Sequence, residues 1–510
     1  MRKCINWLIV SIVGIFVAVI AFAFNLWILP MLVHYQVGKT LALNPNTDIW
    51  ELFTVTPIPI YFSVYLFNLV NPEGVLRGER PEVKQVGPYV YKEFKEKKDV
   101  KLSEVDDTVE YHQYTWYHFD AKASYPRTED DEITPINMFI HVIAGLLGEL
   151  KYLDVADEIL DLAFPDIFGE MYTPALKTTP RKLLFSGIEL TCNNKTASLA
   201  SKIICSGVKN FPGLDKILTV TPNGNIKGSI FGFKNGTHNG LFKVSRGIKS
   251  IDQLGKIVAW NGNSTLSNWG GPECNKIKGN DETLLPPFVT TSTQIQLFNT
   301  DICSSISILY TGTAVFQGIK GYRFVIDPKF MGDVKEYPEN YCFCPQPIQG
   351  ITKPGECLHK GVFDVSSCTN LPTIVSFPHF YRASEIYQNV IHGLKPEKKL
   401  HETFIDIEPT TGVPIRGYKR VQLNIRTKRT SAIRMLTNQT DAIFPLLWFE
   451  EKAELGDKEV SMLRDQLLKV LNIADIIKWL FIGFGVVLAL LGIAMTIIRA
   501  KEDRKKRLKI

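Results

Sequence analysis

Two stretches of this chain are apolar nearly throughout, and patterned sequence fills the length between them. Trp7 to Leu29 is interrupted by Ser11 and Asn25, and Ile476 to Ile498 by Lys478 and Thr496. Each holds roughly the twenty apolar residues that, at about 1.5 Å per residue, carry a helix across a ~30 Å hydrocarbon core. Basic residues flank both on their outer sides. Arg2 and Lys3 precede the first; Arg499, Lys501, Arg504, Lys505, Lys506, Arg507 and Lys509 follow the second. Basic flanks stay in the cytosol. Residues 1–6 and 499–510 are therefore expected there, 7–29 and 476–498 in the membrane, and 30–475 outside the cell. The bulky run Phe24 to Pro30 offers no small-residue cleavage site, so the first segment reads as an uncleaved signal anchor. In the second, Gly485 and Ala489, then Gly492 and Thr496, have the spacing of small side chains that lets another helix come close.

The region between reads mainly as short strands. Ile60 to Phe67 is rich in strand formers, and Thr108 to Tyr117 mixes β-branched and aromatic residues with polar ones. Gly228 to Phe233 runs into a Lys234-Asn235-Gly236 turn, and Lys419 to Arg426 alternates with period two, giving one apolar face. A helical island at 134–178 interrupts the strands. Thr134 and Pro135 have the residue types of an N-cap and first helical position, and Phe139, Ile143, Leu147 and Leu150 follow on one face. Asp154 is placed to cap a second helix with Val155, Ile159, Leu162 and Ala163 on one stripe. Pro165 is its expected end, with a third helical stretch before Pro174. These patterns predict an α+β exterior domain, a small helical bundle packed at one end of a sheet. Asp457 to Ala474 is a last amphipathic stretch, a stalk leading into the second membrane segment.

Charge adds little. Lys and Arg number 58 and Asp and Glu 52, but the tails hold nine basic and two acidic residues, which leaves 49 against 50 elsewhere. The basic excess serves orientation and attraction to anionic lipid and gives no argument for nucleic acid. Cysteine says more. Cys4 lies at the cytosolic edge of the membrane, where a thiol can be palmitoylated. The other eight lie between the membrane segments, six of them (Cys274, Cys303, Cys342, Cys344, Cys357 and Cys368) in a disulfide-rich region, 274–368. In an oxidising compartment these read as bridges, with about fifteen connectivities open for six cysteines. Cys192 and Cys205 are a candidate fourth pair. The spacing lacks the CxxC pairs of a zinc site. Sequons at Asn194, Asn235, Asn263 and Asn438 all fall in the exterior region and are candidates for glycosylation.

Catalytic signatures are absent: no HExxH, GxSxG, Walker loop or GxGxxG occurs. His401-Glu402 begins like a zincin and lacks the second His. His112 and His118 would share a strand face, but no third ligand completes them. The chain is not expected to be an enzyme or to hold a cofactor.

Longer motifs carry a resemblance. Asn71-Pro72-Glu73 leads into GERPEVKQVGPYVYKEF (Gly78 to Phe94). Tyr322 opens YRFVIDPKF, Cys342-Phe343-Cys344 precedes Pro378-His379-Phe380, and IHGLKPEKKLHETFIDIEPTTGVPI (Ile391 to Ile415) leads to Arg420-Val421-Gln422-Leu423-Asn424. With the six-cysteine spacing, these resemble the class B scavenger receptor family over essentially the whole chain. TPRKLLFSGIELTCNNKTASLASKIIC (Thr179 to Cys205), KNGTHNGLFKVSRGI (Lys234 to Ile248), Trp260 to Phe288, and Glu104 to Tyr111 are similar to its insect branch, the sensory neuron membrane proteins. The pair Cys192 and Cys205 is similar to a feature of that branch.

The resemblance implies an antiparallel β-barrel-like ectodomain, an apical helical bundle and an internal hydrophobic tunnel between two transmembrane helices. It implies the pairs Cys274–Cys342, Cys303–Cys368 and Cys344–Cys357. It also implies a long-chain apolar ligand taken up at the helical tip, where Phe139, Ile143, Leu147, Leu150, Ile159, Leu162, Asp166, Phe168 and Glu170 are the candidate residues. Mammalian fatty-acid-binding relatives carry lysines near that tip. Here Asp166, Phe168, Gly169, Glu170 and Met171 stand instead, and Lys151 and Lys177 do not clearly match. A neutral ester, aldehyde or alcohol suits such a tip better than a fatty-acid anion.

The expected function is a receptor or co-receptor that passes neutral lipids, pheromones or odorants, with or without carrier proteins, to an odorant receptor complex in a sensory neuron dendrite or support cell. General lipid or lipoprotein uptake is the alternative. A two-segment channel subunit is disfavoured because neither membrane segment carries a charged row. The tail lacks an acidic dileucine or a placed dilysine, so the plasma membrane is the expected location.

Overall fold

The computed structural model describes residues 7–55, 60–148, 156–193, 197–211, 214, 218–344, 357–431 and 433–508. The chain forms two compact units, one made of both chain ends (Met1–Ala42 with Leu455–Ile510) and one of Leu43–Glu454.

The end unit is a pair of long helices, apolar over Trp7–Leu41 and Leu471–Lys505. Both run past the apolar stretches read from the sequence. The first continues through Pro30 because a π-helical turn, Phe24–Ile28, precedes that proline and absorbs its missing N–H. The second grows without a break out of the stalk at Asp457. Glycine brings the two backbones together. A side-chain carbon at Gly14 would collide with Ala489 N, one at Gly485 would lie 2.7 Å from Ala18 N, and one at Gly492 2.5 Å from Ser11 N. In lipid, where apolar side chains gain nothing by leaving the solvent, such contact is a main source of helix association.

The larger unit holds sixteen strands among the described residues: β1 (Ile60–Leu69), β2 (Val83–Ser103), β3 (Thr108–Phe119), β4 (Ile188–Leu190), β5 (Leu218–Val220), β6 (Ile226–Gly228), β7 (Thr237–Ser245), β8 (Ile257–Trp260), β9 (Ile295–Asn299), β10 (Ser304–Phe316), β11 (Ile319–Ile326), β12 (Val362–Asp364), β13 (Thr373–Ser376), β14 (Phe404–Ile407), β15 (Pro414–Thr427) and β16 (Ala442–Glu454). Thirteen of them make one antiparallel sheet: eleven follow the order β8-β7-β3-β2-β1-β16-β15-β14-β11-β10-β9, and β13, paired with β12, branches from β15. Asn280 bridges its two edges, pairing with Lys256 beside β8 and with Leu297 in β9. Asn280 N–H donates to Gln296 O (3.0 Å), Phe298 N–H to Asn280 O (2.9 Å), and the Asn280 side chain to Leu254 O (2.8 Å). The sheet is thereby a nearly closed barrel. Gly279, at φ +86°, lies so close to Gln296 O that no side chain fits. β4, β6 and β5 form a small separate sheet.

At β15 the sheet forks. Its first half pairs with β14 and its second with β13. The alternation read from Lys419 to Arg426 is present, but its polar face is buried too: Arg420, Gln422 and Asn424 are at most 6 % exposed. Gln422 and Asn424 satisfy each other and Ser376, Ile374 O and His379 N–H. Gly228 to Phe233 is not a strand beyond Gly228. Ile230 and Phe231 donate to Leu183 O and Leu184 O, and a 3-10 turn follows at Gly232–Lys234. Thr134 and Pro135 do not start a helix either. Residues 133–137 run antiparallel to 174–178, with Ile133 and Thr178 exchanging both backbone hydrogen bonds, and the helix begins at Met138. Pro165 lies inside the Ala156–Phe168 helix, on its exposed face, rather than ending it. The proposed cap Asp154, Val155 and Lys151 lie outside the described residues.

A buried histidine pair sits against β16. His379 and His401 stack with centroids 4.6 Å apart, and His401 packs edge-on to Trp448. His379 Nδ1 accepts Lys395 N–H (3.0 Å), and His401 Nδ1 accepts Glu397 N–H (2.8 Å), so both rings must be neutral. Burial, with His401 and Lys395 nearby, pushes His379 down to about 3; burial and Arg420 push His401 down to about 4.

Two outcomes are expected. Cysteines placed at Ala18 and Gly485 should crosslink on mild oxidation, and adding Gly14→Leu and Gly492→Leu should abolish the crosslink; an undiminished yield would refute the glycine contact. The unfolded chain protonates both histidines near pH ~6.5, and the folded one only near 3 to 4. Stability is thus complete above about pH 6.5 and falls progressively below it. The melting midpoint should drop by at least ~2 °C between pH 7 and pH 5, and His401→Gln should flatten that slope. An unchanged slope in the variant would contradict the account.

Candidate functional site

The helical island packs onto the barrel beside the Leu69 end of β1, where Leu69 N–H donates to Thr134 O. Phe139 and Ile143 of the Met138–Gly148 helix and Phe168 of the next are buried, at 6, 4 and 2 % exposure. The buried stripe of the second helix is Leu160, Ala163, Phe164 and Ile167. Ile159 is half-buried, and Leu162 is 63 % exposed and lies outside the stripe. The Leu147 side chain and all of Leu150 lie outside the described residues. Asp166 is engaged in structure: it accepts Ser198 N–H (2.9 Å) and the Ser201 hydroxyl (2.7 Å), holding down the start of the Leu199–Lys209 helix. Those bonds keep its carboxyl below the usual range. Glu170 is exposed, and Lys177 pairs with Glu132 at 2.9 Å.

One apolar cluster joins these helices to the barrel interior. It contains Phe139, Ile140 and Ile143 together with Phe62, Val64, Tyr89, Tyr91, Leu447 and Phe449. Strand register puts the barrel residues on a single face. Phe62 lies opposite Tyr91 and Glu451, Val64 opposite Tyr89 and Phe449, and Leu66 opposite Leu447. Phe62 is the hub, with ring centroids 5.0 Å from Phe449, 5.1 Å from Tyr117 and 5.2 Å from Phe231. A cavity of about 360 Å³ lies beside this cluster, lined by Val208, Lys209, Leu214, Leu218, Thr219, Val220 and Ile226. Its wall Leu218 and the helix residue Phe139 both crowd Gly228.

The same inner face then turns ionic. Lys95 Nζ lies 3.1 Å from Glu93 Oε1 and 3.8 Å from Glu451 Oε2; Lys419 Nζ lies 3.5 Å from Glu451 Oε1 and 3.4 Å from Glu282 Oε2. Lys234 meets Asp301 at 2.6 Å. Farther along β2, Lys97 faces Asp281 at 3.9 Å, and Tyr111 donates to the same carboxylate. Burial pushes Glu93 up and Glu451 adds to the shift, while Lys95 opposes it. Lys95 and Lys419 are raised in spite of burial, by Glu93 with Glu451 and by Glu282 with Glu451. Burial, against Asp281, lowers Lys97 to about 8. Asp301 and Lys419 keep 46 % and 29 % of their side-chain surface open.

Other candidates from the sequence are placed separately. Bridges join Cys192 to Cys205, Cys274 to Cys342, Cys303 to Cys368 and Cys344 to Cys357. Asn235, Asn263 and Asn438 are exposed, with the Asn438 amide donating to Leu76 O (2.8 Å); Asn194 and Cys4 lie outside the described residues. His112 pairs with Asp99 (3.1 Å) and lies tilted against His238, while His118 packs edge-on to Phe94. Among the described residues no group of His, Cys, Asp or Glu could hold a metal ion.

A match to the CD36 family covers residues 12–496. The chain belongs to the CD36 family. It is 33 % identical to sensory neuron membrane protein 2 of Anopheles gambiae, over 91 % of this chain and 89 % of that one. Sensory neuron membrane protein 2 of Aedes aegypti is also 33 % identical, over 88 % and 91 %. Sensory neuron membrane protein 1 of Apis mellifera is 32 % identical, over 97 % and 90 %. The resemblance to class B scavenger receptors and their insect sensory branch thus extends along the chain. Together with two apolar helices it marks a CD36-family membrane protein and supports a receptor role. The ionic stretch of this CD36-family barrel was not found by reading motifs. Its signal was the alternation Glu93, Lys95, Lys97 on β2, which on a strand with one wet face would point outward.

Proposed function

We propose that this protein is a receptor or co-receptor that captures long-chain apolar ligands, such as pheromones or odorants, and passes them through its interior to an odorant receptor in the plasma membrane. The relatives named as sensory neuron membrane proteins support the sensory setting. The observation that carries the reading is the single apolar cluster running from Phe139 and Ile143 on the tip helix to Phe62 and Phe449 inside the barrel. Each methylene withdrawn from water gains ~0.8 kcal/mol. A continuous apolar path therefore holds an alkyl chain without a solvated intermediate. Neutral ligands suit a tip where Asp166 is tied to the neighbouring helix and Lys177 is neutralised by Glu132. Both tails lie in the cytosol on this reading, and the glycosylated, disulfide-bonded region lies outside.

Tags at Met1 and Ile510 should be reached by antibody only after permeabilisation, and glycosidase should lower the apparent mass; staining of intact cells at either end would reject the topology. For the path, Val421→Trp adds bulk on the inner face beside Phe449. At normal surface expression it should slow an odorant receptor's response to long-chain apolar ligands and spare short ones. Unchanged responses would place ligand capture on the outer surface. Ligand uptake without any effect on a co-expressed receptor would favour general lipid scavenging.

A further inference from the structure

The inner face of the barrel changes from aromatic to charged lining on three strands, β2, β15 and β16. On β2 the sequence of same-face residues is Tyr89, Tyr91, then Glu93 and Lys95. On β16 Phe449 gives way to Glu451, and on β15 Val421 gives way to Lys419, with the register placing Val421 opposite Phe449 and Lys419 opposite Glu451. On β2 the change comes one step later than on β15 and β16, because Tyr91 is level with Phe62 and so with Glu451; the boundary between aromatic and charged lining is stepped. At that boundary Glu93, 2 % exposed, directs Oε1 to Lys95, while its Oε2 has no hydrogen-bond partner. Buried carboxylate oxygens are rarely left so, because the loss of hydration is not recovered. Lys419 and Asp301, in the same ionic cluster, keep part of their side-chain surface open.

We propose that this boundary seats the head of a long-chain primary alcohol, its hydroxyl against Glu93 Oε2 and Lys95 Nζ and its chain along Phe62 and Phe449. The inference rests on the reading of the interior as a ligand path and adds the class of head group. A hydroxyl both donates and accepts, so it satisfies Glu93 in either protonation state. The nearby charges are three lysines (Lys95, Lys234, Lys419) against four carboxylates (Glu93, Glu282, Asp301, Glu451), which leaves no positive excess for a fatty-acid anion. A bare hydrocarbon would leave Oε2 without a partner.

The test is equilibrium retention of radiolabelled 1-hexadecanol, palmitate and hexadecane by the full chain in lipid nanodiscs. Hexadecanol should bind at least ~10-fold more tightly than either of the others. Glu93→Leu with Lys95→Met removes the pair together and leaves no charge stranded, and should bring the three ligands within ~2-fold of one another. Glu93→Gln, which still donates and accepts, should keep most of the preference. Tighter binding of palmitate, or a preference that survives the double variant, overturns the head-group site. If all three bind the unmodified chain alike, the ligand path stands and the head-group site falls. If none binds, the path itself falls. Discrimination by the unmodified chain decides the matter should the double variant fail to fold.

Discussion

Asn280 joins the two edges of the sheet, and the interior exists because it does. An open thirteen-stranded antiparallel sheet would expose two rows of unpaired backbone groups. Here one residue spends its N–H, its carbonyl and its side-chain amide on both sides of the gap. Gly279 lets the segment come close enough to do so. The two residues that follow, Asp281 and Glu282, are carried inward by the same closure and meet Tyr111 and Lys419. Closing the wall and placing charge inside it are therefore one structural event.

The helical cap depends on the barrel in a similar way. Its base is the antiparallel pairing of 133–137 with 174–178, and Asn137, 1 % exposed, anchors it by donating to Met171 O and Thr173 O. Asp166 links the second helix to the Leu199–Lys209 helix, which the Cys192–Cys205 bridge ties back to β4. The cap is thus held by local bonds, and its apolar face is free to be continuous with the barrel core.

Much of this was legible. Strong strand formers at Ile60 to Phe67 and Thr108 to Tyr117 became β1 and β3, and the two apolar runs became long helices. What failed did so for non-local reasons. The helix-start signals of Thr134 and Pro135 were outweighed by a partner segment forty residues away. Leu162 was assigned to the wrong stripe because a 3.6-residue period leaves adjacent positions hard to separate in a short helix. The polar face of β15 is met by the segment that carries His379 and Glu402, which bond Gln422 and Arg420, and a strand alone cannot announce that such a segment will cover it. The inward charges on β2 could not be read from alternation, which identifies two faces without saying which one closes around the interior.

The register that aligns this lining also limits how it can change. Same-face positions on a strand are two residues, or ~6.8 Å, apart, and neighbouring strands hold Phe62, Tyr91 and Glu451 level with one another. Moving the aromatic–ionic boundary along the barrel therefore means exchanging residues on several strands together, in steps of that length. Any shift of that boundary would then be stepwise, with intermediate positions reached only by altering side-chain bulk within a level.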